Sequence, residues 1–66
     1  MAHNSALDYL NSKLEEERGN VTSFLSQGTV KSFEEYHRLC GIIQGLDAAK
    51  NLTSDLAKRM EQSDDE

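Results

Sequence analysis

Apolar residues recur at helical spacing along two long segments of the chain, and a short polar break separates the segments. In the first segment the apolar positions fall three, four or seven residues apart, at Leu7, Leu10, Leu14, Val21 and Phe24. In the second they recur at steps of three and four, at Tyr36, Leu39, Cys40, Ile43, Leu46, Ala49, Leu52, Leu56 and Met60. Such spacing places side chains on one side of an α-helix. The pattern therefore predicts two amphipathic helices.

The break contains recognisable helix-ending and helix-starting residues. Gly28 suits a left-handed position that closes the end of a helix. Ser32 and Glu35 form a capping box, in which the serine hydroxyl accepts the amide of Glu35 and the carboxylate reaches back. We therefore predict a helix over about residues 5–26, a loop over 27–31, a helix over about 33–61 and an acidic tail over 62–66.

Gly19 and Asn20 lie inside the first helical pattern, and two interpretations compete. The helix either runs through at a cost of about 1 kcal/mol for the glycine, or ends there and restarts with Asn20 as its cap. Val21 and Phe24 continue the phase of the first stripe. We therefore favour a continuous or mildly kinked helix.

The predicted fold is all-α: an antiparallel two-helix hairpin, forming one domain over residues 1–66. A chain of 66 residues buries little core, and Cys40 has no second cysteine to pair with. We therefore expect oligomerisation or docking on a larger protein to complete the fold. Because the second helix is the longer, we expect its C-terminal half to overhang the first, leaving Leu52, Leu56 and Met60 uncovered.

Two glycines spaced four apart, Gly41 and Gly45, lie in the middle of the second helix. Each costs about 1 kcal/mol of helix propensity, so we expect a compensating close approach of another helix. That helix is either the first helix of the same chain or one from another chain. The predicted interface consists of Gly41, Gly45, Leu46, Ala49, Leu52, Leu56 and Met60.

The sequence offers no set of residues for catalysis. His37 and Cys40 lie one helical turn apart, but a metal site needs further ligands and a nucleophile needs a base and an oxyanion site. We interpret Cys40 as a core residue and His37 as a solvated one. We predict no enzyme activity, no catalytic residue, no cofactor and no metal.

The charge and hydropathy patterns limit the partners. The net charge is −5, which disfavours direct binding of nucleic acid, because that binding needs a basic surface. No stretch approaches the roughly 20 apolar residues of a membrane span, and residues 1–20 lack the apolar core of a signal peptide. We therefore expect a protein made in the cytoplasm that binds neither membrane nor nucleic acid.

The segment from Phe33 to Ala49 resembles small helical proteins of tailed bacteriophages that are encoded near head and portal genes. The similarity lies in an aromatic-acidic-tyrosine turn followed by the pattern Leu-x-Gly-x-Ile-x-Gly-Leu, and in the opening residues Leu7 to Leu10. The resemblance implies a virion or assembly component made in the host cytoplasm, and it carries over no catalytic residue.

Two functional hypotheses follow. The first is a small bacteriophage virion or assembly component that acts through helix packing, with itself or a larger phage protein as partner. The alternative is a small acidic phage regulatory protein that binds and inhibits a host enzyme.

Overall fold

The computed structural model describes residues 5–64 of the chain, and the side chains of residues 5–61. Over that range the chain forms two helices and no strand: α1 (Ser5–Ser26) and α2 (Phe33–Asp64). The fold is therefore an all-α helical hairpin. α1 continues through Gly19 and Asn20 without a break. α2 extends to Asp64, beyond the predicted end near residue 61, and the rest of the predicted acidic tail (65–66) lies outside the described residues.

The end of α1 has the geometry that its glycine predicts. Gly28 has a φ of +75°, in the left-handed region that side chains disfavour. Its amide donates to the carbonyl of Leu25 at 3.4 Å, and the amide of Gln27 donates to Ser23 at 3.1 Å. These bonds satisfy carbonyl groups that the helix end would otherwise leave unpaired.

The start of α2 confirms half of the predicted capping box. The amide of Glu35 donates to the hydroxyl oxygen of Ser32 at 3.0 Å. The carboxylate of Glu35, however, accepts from the amide of Lys31 at 3.4 Å, one residue earlier than the capping box predicts. The linker is therefore tied to α2 at two consecutive residues.

Polar side-chain pairs between the helices define an antiparallel register. Asn11 pairs with Ser54, Glu15 with Lys50, and Arg18 with Asp47. The residue numbers in each pair add to 65, so residue n of α1 lies level with residue 65 − n of α2. From Asn11 to Arg18, α1 thus keeps one register.

The surface along which the two helices meet repeats at steps of three and four residues, and we call it the seam. On α1 the seam consists of the partly buried residues Leu7, Asn11, Leu14, Arg18, Val21 and Leu25. On α2 it consists of the buried or partly buried residues Leu39, Ile43, Leu46, Lys50, Thr53 and Ala57. Polar residues interrupt it on both helices, so the hairpin buries less apolar surface than its length would allow.

The hydrophobic core is thin. Among the described side chains, Leu39, which is 8% exposed, is the one hydrophobic residue that counts as buried. Thr53 is equally buried, and its hydroxyl donates to the carbonyl of Ala49 at 2.8 Å. The buried side-chain oxygen of Asn11 has no hydrogen-bond partner among the described residues. An isolated hairpin with such a seam has little to stabilise it.

The expected overhang at the C-terminal half of α2 is wrong. In the observed register α1 lies alongside residues 39–60, so Leu52 is level with Lys13 and Leu56 is level with Tyr9. Most of the extra length of α2 lies at the turn, over residues 33–38, because α2 begins six residues before the position level with the end of α1. Leu52 and Leu56 are exposed because they lie beside the seam and not on it.

Candidate interaction surface

Two further stripes flank the seam, one residue before and one residue after each seam position. The residues after the seam form what we call the polar face. On α1 these are Asp8, Ser12, Glu15, Gly19, Thr22 and Ser26. On α2 they are Cys40, Gln44, Asp47, Asn51, Ser54 and Lys58. Because successive helical residues are about 100° apart, each stripe lies beside the seam along the whole hairpin.

The polar face forms one continuous side of the molecule, because its residues cross from each helix to the seam of the other. From α2, Ser54 accepts from Asn11 at 3.1 Å, and both carboxylate oxygens of Asp47 accept from Arg18, at 2.7 and 3.4 Å. From α1, Glu15 accepts from Lys50. Asp47 raises the pKa of the Arg18 guanidinium, first through the hydrogen bond and then through its charge.

The residues before the seam form the opposite side, which we call the open face. On α1 these are Ala6, Leu10, Lys13, Glu17, Asn20 and Phe24. On α2 they are Arg38, Ile42, Gly45, Ala49, Leu52 and Leu56. In an antiparallel pair the stripes that precede the seam lie together, just as those that follow it do on the polar face. The open face therefore combines both helices.

Large apolar side chains on the open face are exposed. Leu52 is 70% exposed, and Leu10, Phe24, Ile42 and Leu56 are each more than a third exposed. Along α2 the apolar stripe continues from Ile42 to Leu56. An exposed apolar stripe of this kind is typical of protein interaction sites. The polar face carries no comparable apolar stripe in the part of the chain that the structure describes.

The glycines of α2 have room around them. A Cβ placed on Gly45, in the middle of the open face, would meet nothing within 4 Å among the described residues, and the same holds for Gly41. α1 therefore does not approach either glycine closely, and the intrachain alternative for the close crossing is wrong. The seam passes on another side of α2. A close approach by a helix of another chain stays a prediction.

The structure places most of the predicted interface residues on one surface. Gly45, Ala49, Leu52 and Leu56 lie on the open face, and Gly41 and the partly exposed Met60 lie at its borders. Leu46 does not belong with them. It is a seam residue that packs within the hairpin, because it falls three residues after Ile43 and seven before Thr53.

Leu10 and Phe24 were assigned by the sequence pattern to the helix-packing stripe of α1, and the structure places both on the open face. The true seam of α1 includes Asn11 and Arg18, which a search for apolar residues passes over. The charge pattern contained a signal for this seam. Arg18 with Asp47 and Glu15 with Lys50 are pairs of opposite charge whose residue numbers both add to 65, as one antiparallel register requires.

His37 and Cys40 do not form a shared site. The ring of His37 stacks on Phe33 with centroids 5.9 Å apart and an interplanar angle of 22°. The partly buried thiol of Cys40 lies beside the Tyr36 hydroxyl, and it raises the pKa of Tyr36, first through a hydrogen bond and then through charge. Each of the two residues is thus engaged with a different aromatic ring.

Over the described range, no group of three or more histidine, cysteine, aspartate or glutamate residues could hold a metal ion. Neither described helix combines the length and hydropathy that crossing a membrane requires. The surface features of the hairpin are therefore those of a helical protein with one open apolar face. Comparisons of the chain with protein-family models, curated proteins and solved structures give no match.

Proposed function

We propose that the chain is a non-enzymatic structural protein that works by packing its open face against other helices. The observation that supports the proposal is the separation of the two sides of the hairpin. One side is polar and links α1 to α2, and the other exposes Leu52 to 70% and Leu56 to 47%. Burial of apolar area stabilises such packing by about 25 cal/mol per Å² before the costs of association.

We further propose that this packing takes place in a tailed bacteriophage, as a virion component or during assembly. The support is the resemblance of the segment from Phe33 to Ala49 to small helical phage proteins. Gly45 belongs to the pattern that carries the resemblance and lies at the centre of the open face, so the pattern would serve the packing of that face.

The test uses particles purified from infected cells that produce either the natural chain or a variant. We expect mass spectrometry to find the natural chain in particles or assembly intermediates at a constant ratio to the capsid protein. Leu52→Glu places a charge on the open face and should remove the chain from them. Asn51→Glu adds the same charge to the preceding residue, on the polar face, and should leave incorporation unchanged.

Absence of the natural chain from particles and from assembly intermediates would contradict the phage structural role. Equal loss with Asn51→Glu and Leu52→Glu would contradict the role of the open face. Circular dichroism of both purified variants checks that each keeps its helices. Leu52 and Asn51 are both exposed, so neither change disturbs the seam.

The alternative, an acidic regulator of a host enzyme, is favoured by one observation. The chain has a net charge of −5, and its polar face carries Asp8, Glu15 and Asp47 beside Lys58, with Glu15 and Asp47 paired to the seam cations Lys50 and Arg18. A regulator that docks this face on a basic surface would inhibit its target less as salt rises. Such binding would survive Leu52→Glu, whereas packing through the open face would not.

A further inference from the structure

The α2 stripe of the open face is symmetric about its own centre. Small residues, Gly45 and Ala49, occupy the middle, and a large aliphatic residue lies on each side, Ile42 and Leu52. The steps of four and three make the stripe positions symmetric about residue 47, and the side chains match in the two inner pairs, Gly45 with Ala49 and Ile42 with Leu52, but not in the outer pair, Arg38 with Leu56. A two-fold axis that crosses a helix at right angles brings together positions related in this way.

We propose that the open face is covered by a second copy of this chain, which lies antiparallel to the first across a two-fold axis level with Asp47. The resulting dimer is a four-helix bundle in which α2 packs on α2 of the second copy. This inference rests on the proposed function only in taking the open face as the packing surface, and it names the occupant.

The small residues at the centre fit this arrangement. Gly45 of one copy meets Ala49 of the other, so the two helix backbones can approach closely where they cross. No described side chain of the same chain fills the space beside Gly45. Ile42 then packs on Leu52 of the second copy, and the symmetry repeats that contact on the other side of the axis.

The charges on the open face are compatible with self-association. The net charge of the chain is −5, but the open face carries Lys13 and Arg38 against the single anion Glu17. In the register of the hairpin the same axis crosses α1 near residue 18. It places Glu17 level with Gly19 of the second copy, next to Asn20, and Lys13 level with Ser23, next to Phe24, so like charges do not meet.

The length of the face fits a second copy in this register. The open face runs from Arg38 to Leu56 on α2, about 27 Å at 1.5 Å per residue, within a hairpin 53 Å long. An axis at the midpoint of this stripe places the stripe of the second copy over its whole length. One second copy therefore covers the α2 stripe and leaves the polar face in water.

The first test measures mass in solution by sedimentation. The natural chain of 7.4 kDa should sediment as a species of about 15 kDa at micromolar concentration. Leu52→Glu should raise the dimer dissociation constant at least about 100-fold, because the charge is buried twice in a symmetric dimer. Asn51→Glu should change it by less than about 3-fold. A monomer at every concentration, or a dimer that survives Leu52→Glu, overturns the proposal.

The second test examines the orientation of the copies through engineered cysteines. With Cys40→Ser as background, the pair Ile42→Cys and Leu52→Cys should oxidise to a covalent dimer. Within one chain these positions are ten residues apart, about 15 Å, which no disulfide spans. Ile42→Cys alone should not cross-link, because residue 42 of the second copy lies level with residue 52, about 15 Å away along the helix. Rapid cross-linking by the single variant, or none by the pair, overturns the antiparallel arrangement.

The two proposals fail separately. A monomeric chain that enters particles only with an intact open face overturns the second copy and supports the structural role. A cross-linked dimer of the expected orientation that is absent from particles and assembly intermediates supports the second copy and overturns the phage role.

Discussion

At the scale of single residues, the glycines show how one residue type serves different purposes in one short chain. Gly19 lies inside α1 on the polar face, and a Cβ there would meet nothing within 4 Å among the described residues. Gly28 has the same free space but a φ of +75°. The first glycine is replaceable, whereas the second is required by the backbone.

Substituting alanine at these two positions should change stability in opposite directions. Gly19→Ala should raise the free energy of unfolding by about 1 kcal/mol, because alanine is the better helix former. Gly28→Ala should lower it by about 1–2 kcal/mol, because its Cβ is strained at positive φ. Urea denaturation followed by circular dichroism measures both at one protein concentration. A shift in the same direction for both would contradict this account.

The pairing of Tyr36 with Cys40 has a consequence at alkaline pH. The folded chain raises the pKa of Tyr36 above its usual 10.0, so the folded state holds that proton more tightly than the unfolded state. The resulting stability is fully present below the usual pKa and is lost as pH rises through the raised value.

The measurement uses Tyr9→Phe, which leaves Tyr36 as the single tyrosine, and follows the near-ultraviolet absorbance of tyrosinate against pH. Adding Cys40→Ala should move the midpoint down towards the usual value. If the midpoint stays in place without the thiol, the pairing with Cys40 is not the cause of the shift.

At the scale of the helices, polar pairs fix the register more specifically than the apolar residues do. Leucine and isoleucine can slide past one another by a turn, but Arg18 meets Asp47, and Asn11 meets Ser54, in one alignment only. We expect these partly exposed pairs to favour the observed alignment over the alternatives.

Reversing the charge of Arg18 should loosen the hairpin. Arg18→Asp places two carboxylates opposite each other and should lower the melting temperature, and adding Asp47→Arg should restore part of the loss. The matched control is Arg59→Asp, which disrupts an exposed pair with Asp55 inside α2 and should have the smaller effect. Both effects should diminish in 1 M salt. An equal effect at Arg18 and Arg59 would contradict the register role.

The sequence predicts the two helices, the turn and the caps well, because each depends on neighbours within a few residues. Gly28 and Ser32 are examples, since their backbone bonds are local. The assignment of Leu10, Phe24 and Leu46 to faces could not be predicted as readily. A broad apolar stripe is compatible with two packing directions, and the choice between them depends on the cross-helix pairing of Arg18 and Asp47.

At the scale of the whole molecule, stability and association should be coupled. The described part of one hairpin buries one hydrophobic side chain, Leu39, so covering the open face adds much of the apolar burial that the fold needs. Mass action then makes the melting temperature depend on protein concentration.

We expect the melting temperature of the natural chain to rise with concentration from micromolar to millimolar, and that of Leu52→Glu to stay constant. Circular dichroism in cells of different path length measures both across the range. A melting temperature of the natural chain that does not change with concentration would contradict the coupling.

The seven-residue repeat of the seam has a consequence for the length of the molecule. Removing residues 12–18 from α1 together with 47–53 from α2 takes matching segments from both rods, about 10 Å from each. Every remaining position keeps its side of the hairpin, and the pair of Asn11 with Ser54 is left to hold the register, because the deletion removes Arg18 with Asp47 and Glu15 with Lys50. The hairpin can therefore be shortened or extended by seven residues on each helix without changing which positions lie on the seam.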